Sequence, residues 1–152
     1  MKTGITVADA MTKSLVKIEL NVSVQECAQL MIDKKVGGLI VQDRDVAVGI
    51  VTEKDIVAKV VAKKLDSDAT LVQDIMSSKL IGIDPSKDLY DAIVLMAEEN
   101  IRRLPVMFGG KVVGLLTAKD VLKIEPQLIN YLAEKFQIRE EDQKAIFFKS
   151  QG

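Results

Sequence analysis

The chain has 152 residues, 48% of them hydrophobic and 28% charged, and its formal net charge is −1. This balance is typical of a globular protein with a substantial core, and it excludes a disordered chain and a broad basic surface for nucleic acid or anionic lipid. The sequence has no histidine and one cysteine, Cys27, which excludes an intrachain disulfide, most zinc sites and the histidine-dependent nucleophile systems.

The apolar runs are far too short to span a bilayer, and no apolar signal-peptide core follows Met1. We therefore expect a cytoplasmic protein with no membrane partner. Because the commonest acid–base and metal-binding residue is missing, we do not expect an enzyme, and we expect no catalytic cofactor and no metal site.

The first half of the chain recurs in the second half at a constant offset of 65 residues, without a gap. A gapless recurrence of this length indicates two copies of one supersecondary unit. The same residue stands at both positions of these pairs: Val7/Val72, Asp9/Asp74, Met11/Met76, Leu15/Leu80, Ile18/Ile83, Leu30/Leu95, Met31/Met96, Leu39/Leu104, Val41/Val106, Val48/Val113, Gly49/Gly114, Thr52/Thr117, Lys54/Lys119 and Asp55/Asp120.

Each copy predicts the same order of elements. A Val-x-Asp-x-Met-Thr/Ser segment predicts a helical turn, and a helix with an apolar i, i+3, i+4, i+7 face follows the first strand. Ser23 and Asp88 are the predicted N-caps of that helix. A strand hairpin and a second helix, from Thr52 or Thr117, complete each copy. The predicted strands are 15–18, 38–42 and 46–51 in the first copy and 80–83, 104–108 and 112–116 in the second.

The order β-α-β-β-α with a mixed sheet predicts an α+β fold. Each copy has one sheet face and two amphipathic helices to bury, so we expect the two copies to fold together around a single core. The predicted division of the chain is a first motif at 5–62, a polar linker at 63–70, a second motif at 71–125 and a helical extension at 126–152.

The extension is predicted to contain an amphipathic helix after Pro126 and a short helix within residues 140–149. Two interpretations stay open: the extension packs against its own motifs, or it builds an interface with a second subunit or a protein target. It carries four of the six aromatic residues: Tyr131, Phe136, Phe147 and Phe148.

Each copy has the string Gly-x-x-Thr-x-Lys-Asp where the hairpin meets the last helix. A helix start offers N–H groups and the positive end of the helix dipole, which suit a phosphate. The hydroxyl of Thr52 or Thr117 can donate to that phosphate, and the carboxylate of Asp55 or Asp120 can accept both hydroxyls of a ribose. The alternative is helix capping by the same side chains. Duplication of the whole string favours a ligand site.

Arg102 and Arg103 directly precede an apolar strand of the second copy. Their forked guanidinium donors suit phosphate oxygens, although a solvated strand end is the alternative. The first copy has Gly37 and Gly38 at the matching positions, so the two copies differ where a phosphate would be recognised.

Three motifs together, Val-x-Asp-x-Met-Thr/Ser, Arg-Arg-Leu-Pro-Val and Gly-(Ile/Leu)-(Val/Leu)-Thr-x-Lys-Asp, resemble a tandem of cystathionine-β-synthase (CBS) domains over residues 5–125. The chain is most similar to stand-alone prokaryotic, especially archaeal, two-CBS regulatory proteins. The resemblance implies that the motifs pack as one pseudo-two-fold module with two clefts and that modules pair into a homodimer. It also implies that the clefts bind an adenosyl ligand: AMP, ADP, ATP or S-adenosylmethionine.

In the family, each cleft combines the Thr and Asp of one motif with the first strand of the other. The Thr117 cleft would therefore use the strand that contains Lys17. By resemblance, the ribose is assigned to Asp55 and Asp120, the phosphate to Thr52, Thr117, Arg102, Arg103 and Lys119, and the adenine to Val16, Lys17, Ile81 and Gly82.

The chain departs from the family pattern at Arg102, where the family often has His, and at Ile40, where the pattern has Pro. Equal occupancy of the two clefts therefore does not follow. The expected function is regulatory sensing of an adenine nucleotide, with the ligand state passed through the CBS pair to a protein target. The alternative is a dimeric interaction scaffold with vestigial clefts. Nucleic acid is not an expected partner, because the charge is balanced.

Overall fold

The computed structural model describes residues 2–135. In chain order the helices are α1 (Val7–Ala10), α2 (Val24–Lys34), α3 (Glu53–Ile56), α4 (Val72–Ile75), α5 (Leu89–Glu99), α6 (Ala118–Ile124) and α7 (Leu128–Lys135), and a π-helical segment (Val57–Val61) continues α3. The strands are β1 (Lys17–Glu19), β2 (Gly38–Asp43), β3 (Val46–Thr52), β4 (Arg103–Phe108) and β5 (Lys111–Thr117). These elements give the predicted α+β fold.

The chain divides into two compact units. The first-repeat unit contains Ser14–Ile81 and Gly110–Val112. The second-repeat unit contains, among the described residues, those up to Lys13, Gly82–Gly109 and those from Val113 onward. The bulk of each sequence repeat therefore lies in its own unit.

The first-repeat unit has a mixed three-stranded sheet in the order β1-β2-β3. β2 pairs in parallel with β1 and antiparallel with β3. On the other edge of β3, Ser77 pairs with Ile50 through two backbone hydrogen bonds of 2.9 Å each. The mixed sheet was predicted, but the first strand begins two residues later than expected, at Lys17 rather than Leu15.

The second-repeat unit has a two-stranded sheet, β4-β5. The predicted strand at 80–83 is wrong except at Ile83, which pairs in parallel with Val106. Pro105 explains the difference. It stands at the position of Ile40, whose N–H donates to the Val16 carbonyl at 3.3 Å, and proline has no N–H to donate. The ladder beside β4 therefore loses the bond that would extend it towards residue 80.

The two opening helical turns form as predicted, but each lies in the unit of the other repeat. Helix α1 belongs to the second-repeat unit, where the Val7 N–H donates to the Lys87 carbonyl at 2.8 Å. Helix α4 belongs to the first-repeat unit, where the Val72 N–H donates to the Val22 carbonyl at 2.9 Å. The repeats thus exchange their opening segments.

The predicted apolar helix faces are buried. Helix α2 buries Val24, Cys27 and Met31, and these side chains join strand residues in the core of the first-repeat unit. Helix α5 buries the matching face of the second repeat: Leu89, Ala92, Ile93 and Met96. Each buried Val, Leu, Ile or Met side chain among them contributes about 1.5–3 kcal/mol through removal from water.

The predicted linker is bonded to the start of α2. The carbonyl of Thr70 accepts the Val24 N–H at 2.8 Å, and that of Ser67 accepts the Gln25 N–H at 3.0 Å. The predicted N-cap Ser23 accepts the Glu26 N–H on its hydroxyl at 3.2 Å. The first three N–H groups of α2, which a helix leaves without partners, are thereby satisfied.

Helix α7 follows Pro126 as predicted, and Leu128 at its start is 2% exposed. The predicted helix within 140–149 and the side chains of Phe136, Phe147 and Phe148 lie outside the described residues. Among helices within residues 2–135, none is long and apolar enough to cross a membrane.

Candidate functional site at the strand–helix junctions

The first junction lies between β3 and α3, where Thr52 and Asp55 cap the helix reciprocally. The Asp55 N–H donates to Oγ1 of Thr52 at 3.3 Å, and the Thr52 N–H donates to Oδ2 of Asp55 at 2.9 Å. The Thr52 hydroxyl also donates to Oδ2 at 3.1 Å. Both side chains are half-buried.

The second junction, between β5 and α6, repeats this geometry. The Asp120 N–H donates to Oγ1 of Thr117 at 3.1 Å, and the Thr117 N–H donates to Oδ2 of Asp120 at 3.2 Å. The capping alternative is therefore correct for both pairs. Capping still leaves the Oδ1 side of each carboxylate for other partners, so it is compatible with a ligand.

The helix starts offer fewer free N–H groups than the sequence suggested. The Glu53 N–H donates to the Gly37 carbonyl at 3.0 Å, and the Ala118 N–H donates to the Arg102 carbonyl at 2.9 Å. The capping bonds satisfy the N–H groups of Asp55 and Asp120. In the first turn of each helix, the N–H without a partner within residues 2–135 is therefore that of Lys54 in α3 and that of Lys119 in α6. The side chain of Lys119 is exposed.

The basic pair lies beside the second junction. The bond from Ala118 to the Arg102 carbonyl fixes the backbone of Arg102 next to the start of α6. The side chain of Arg102 is exposed and that of Arg103, the first residue of β4, is half-buried. Gly37 occupies the same place at the first junction, so the predicted asymmetry of charge is present at the junctions themselves.

The residues assigned to adenine lie at, or just before, the first residue of each repeat that pairs in parallel, Lys17 or Ile83. Val16 is half-buried and accepts the Ile40 N–H, and Lys17 is exposed at the start of β1. Ile81 is half-buried, and Gly82 packs so closely on Met107 that a Cβ atom there would lie 2.6 Å from the sulfur. The pairing of Val16 and Lys17 with the second junction stays a prediction.

One residue at the first junction was not anticipated. Nζ of Lys59, in the π-helical segment, lies 3.2 Å from Oδ1 of Asp55 and donates to the Ile75 carbonyl at 2.9 Å. The signal was available, because an acid and a lysine four residues apart on a helix commonly pair. The repeat also breaks here, since Ile124 stands at the matching position.

The described part of the chain contains no group of three or more His, Cys, Asp or Glu side chains arranged to hold a metal ion. Burial raises the pKa of the Cys27 thiol to about 11, so this thiol is not poised as a nucleophile. The junctions offer hydroxyl, carboxylate and N–H groups, which can form hydrogen bonds with a polar ligand.

Comparison with known proteins identifies the family. The model of the CBS domain matches residues 7–62 and 72–126. The CBS domain-containing protein YhcV of Bacillus subtilis is 34% identical over 116 residues, which cover 76% of this chain and 82% of that protein. The chain spans 61% to 82% of the length of the first curated relatives it matches, which come from archaea and a bacterium.

Solved structures share the fold. The crystal structure of an uncharacterised conserved protein from Pyrococcus horikoshii is 33% identical, with a TM-score of 0.76, and the match covers 82% of this chain and 94% of that one. A CBS domain pair in complex with 5′-methylthioadenosine and S-adenosyl-L-methionine is 26% identical, with a TM-score of 0.71 and coverage of 79% and 98%. The chain therefore belongs to the CBS-domain family and carries a tandem pair of CBS domains.

Proposed function

We propose that this CBS pair is a regulatory module that binds an adenosyl ligand and passes the ligand state to a protein target. The observation that carries the proposal is the duplicated junction, at which a half-buried carboxylate is held in place by a helix cap. A carboxylate fixed in this way is pre-organised to accept hydroxyl groups, so little ordering is needed on binding.

The ligand class is supported by two further observations. A CBS pair with the same fold binds 5′-methylthioadenosine and S-adenosyl-L-methionine, both of which carry a ribose. In this chain the backbone of Arg102 lies at the second junction, and Arg103 and Lys119 add positive charge nearby. We therefore favour the adenine nucleotides AMP, ADP and ATP, whose phosphates suit guanidinium donors.

Calorimetric titration with AMP, ADP, ATP and S-adenosylmethionine tests the proposal. Asp120→Asn keeps an oxygen for the capping bond but replaces the other oxygen by an amide that cannot accept, so we expect affinity to fall about tenfold or more. Asp74→Asn is the matched control, because Asp74 accepts the Leu71 N–H at 3.0 Å in the cap of another helix, α4. Absence of binding by the unmodified protein at millimolar ligand would refute the proposal.

A second candidate function is that of a dimeric interaction scaffold in the cytoplasm. It is supported by three aliphatic side chains of the first-repeat unit that are largely exposed: Ile32 (73%), Val57 (60%) and Val61 (67%). Ile32 and Val57 line the same surface pocket, and exposed apolar side chains that lie together are typical of an interface. Sedimentation velocity of the full chain and of Val57→Asp tests the homodimer, because an aspartate buried in an apolar interface would dissociate it.

A further inference from the structure

We propose that Lys59 makes the two junctions unequal, so that the Asp120 carboxylate is open to the diol of a ribose whereas the Asp55 carboxylate is held by Lys59. This inference rests on the proposed function and concerns the same sites. It assigns to Lys59 the role of a positioning residue, since it acts through Asp55, and it predicts how many ligands the chain binds tightly.

Two anchors hold the Lys59 ammonium at the first junction. Nζ lies 3.2 Å from Oδ1 of Asp55, and it donates to the Ile75 carbonyl at 2.9 Å. Ile75 is the last residue of α4, where a helix leaves carbonyl groups without intrahelical partners. The ammonium therefore satisfies a helix end and a carboxylate together. The Lys59 side chain is 48% exposed and that of Asp55 is 17% exposed, so the pair lies at the edge of the protein.

The second junction has no counterpart of this contact. Ile124 stands where the repeat would place the lysine, and its side chain, 41% exposed, carries no charge. Within residues 2–135 the Asp120 side chain makes no ion pair, and it accepts one hydrogen bond, the capping bond from the Thr117 N–H.

The difference can be expressed as acceptor capacity. An ionised carboxylate offers about four lone-pair positions. Asp55 already accepts from three donors, namely the Thr52 N–H, the Thr52 hydroxyl and Lys59. Asp120 accepts from the Thr117 N–H alone among the described donors. About one position is left at Asp55, whereas about three are left at Asp120.

A ribose presents two neighbouring hydroxyls and so needs two acceptor positions. Asp120 can accept both without losing a bond, whereas Asp55 must first release Lys59 or the Thr52 hydroxyl. The released ammonium would also leave the Ile75 carbonyl without its donor. The same ligand should therefore bind at the Asp120 junction at least tenfold more tightly than at the Asp55 junction.

Calorimetric titration with AMP tests this difference. For the unmodified chain we expect one tight equivalent per chain. Lys59→Met keeps the aliphatic stem and removes the ammonium. It should strengthen binding at the Asp55 junction at least tenfold, so that two equivalents of AMP per chain are seen. AMP is anionic, so loss of a cation would by itself weaken binding. A gain in AMP affinity therefore results from release of the Asp55 carboxylate and not from a change in the overall electrostatic potential.

The matching position of the second repeat, Ile124, allows the opposite substitution. Ile124→Lys introduces the lysine at the second junction and should weaken the tight site at least tenfold. Lys59→Arg retains the charge and should retain one tight equivalent. Titration with 2′-deoxy-AMP gives a readout that a purely structural role of Lys59 would not change. In Lys59→Met, the site at the Asp55 junction should discriminate against the deoxy ligand, as the tight site at the Asp120 junction does.

Three results would overturn the inference while the proposed function stands. The first is two equal sites in the unmodified chain, and the second is one tight equivalent in both Lys59→Met and Lys59→Arg. The third is a site at the Asp55 junction of Lys59→Met that binds AMP and 2′-deoxy-AMP equally. Failure of the unmodified chain to bind any adenosyl ligand would overturn both. A thermal melt of each variant distinguishes loss of folding from loss of binding.

Discussion

Gly49 lies directly against the backbone of Ser77, so that a Cβ atom at Gly49 would lie 2.5 Å from the Ser77 carbonyl oxygen. Ser77 is the residue that pairs with Ile50 on the edge of β3 opposite to β2. In the second-repeat unit, Gly114 faces Met11 and Thr12 in the same way. In each unit, the Gly of one repeated motif therefore packs against the Met-Thr/Ser segment of the other repeated motif.

We expect Gly49→Ala to lower the free energy of unfolding by about 1–3 kcal/mol, because the added methyl group meets a backbone atom that cannot rotate away. Gly114→Ala should cost less, since the nearest atom there is the sulfur of the flexible Met11 side chain. Urea unfolding monitored by circular dichroism measures both. Equal losses in the two variants would contradict this assignment.

The side chain of Asp88 makes stability depend on pH. Burial raises the pKa of Asp88, but hydrogen bonds from Thr3, Tyr90 and Gly4 outweigh burial and hold it at about 2. Because this folded-state pKa lies below the ordinary value of 3.8, the carboxylate stabilises the fold above about pH 4, and its contribution is lost as pH falls towards 2.

Asp88→Asn isolates this effect, because asparagine is also a good N-cap but carries no charge. The difference in unfolding free energy between the two proteins should be constant from about pH 7 to pH 5 and should shrink between about pH 4 and pH 2. Urea titrations across this range measure it. A difference independent of pH would show that the carboxylate charge does not contribute.

The turn between β2 and β3 has residues in an unfavourable conformation. Arg44 and Asp45 have φ angles of 50° and 71°, in the left-handed region, whereas Gly109 and Gly110 occupy the matching positions of the second hairpin. We expect the double substitution Arg44→Asn and Asp45→Gly to raise the free energy of unfolding by about 1 kcal/mol. As the opposite control, Gly110→Ala should destabilise. Thermal unfolding would reveal both shifts.

The Cys27 thiol should be protected from reagents. It is 0% exposed, and burial raises its pKa to about 11, so its thiolate fraction at pH 8 is roughly two orders of magnitude below that of a free cysteine. Labelling with a thiol reagent should therefore be at least about a hundredfold slower in buffer than in urea. Rapid labelling of one thiol without denaturant would contradict the burial of this side chain.

The geometry of both junctions could be predicted because it is local. A Thr N-cap and an Asp three residues later contact each other through a single helical turn, whatever surrounds them. Whether the same carboxylates bind a ligand was not decided by that pattern, since capping and binding require the same residue types. The pairing of Lys59 with Asp55 could have been predicted from their spacing of four residues. The second anchor of Lys59, the Ile75 carbonyl, could not, because a backbone group leaves no mark in the sequence.

The sequence by itself determined the two repeats, which follow from the recurrence at an offset of 65 residues. It also determined their helices, the apolar helix faces and the caps, since each of these depends on residues within one or two turns. Only the tertiary structure decided that α1 and α4 lie in the unit of the opposite repeat, that Pro105 reduces a strand to the single pairing of Ile83, and that Lys59 holds Asp55. These features depend on hydrogen bonds between distant segments. A backbone N–H or carbonyl is the same in nearly every residue, so its distant partner is selected by packing and not by residue type.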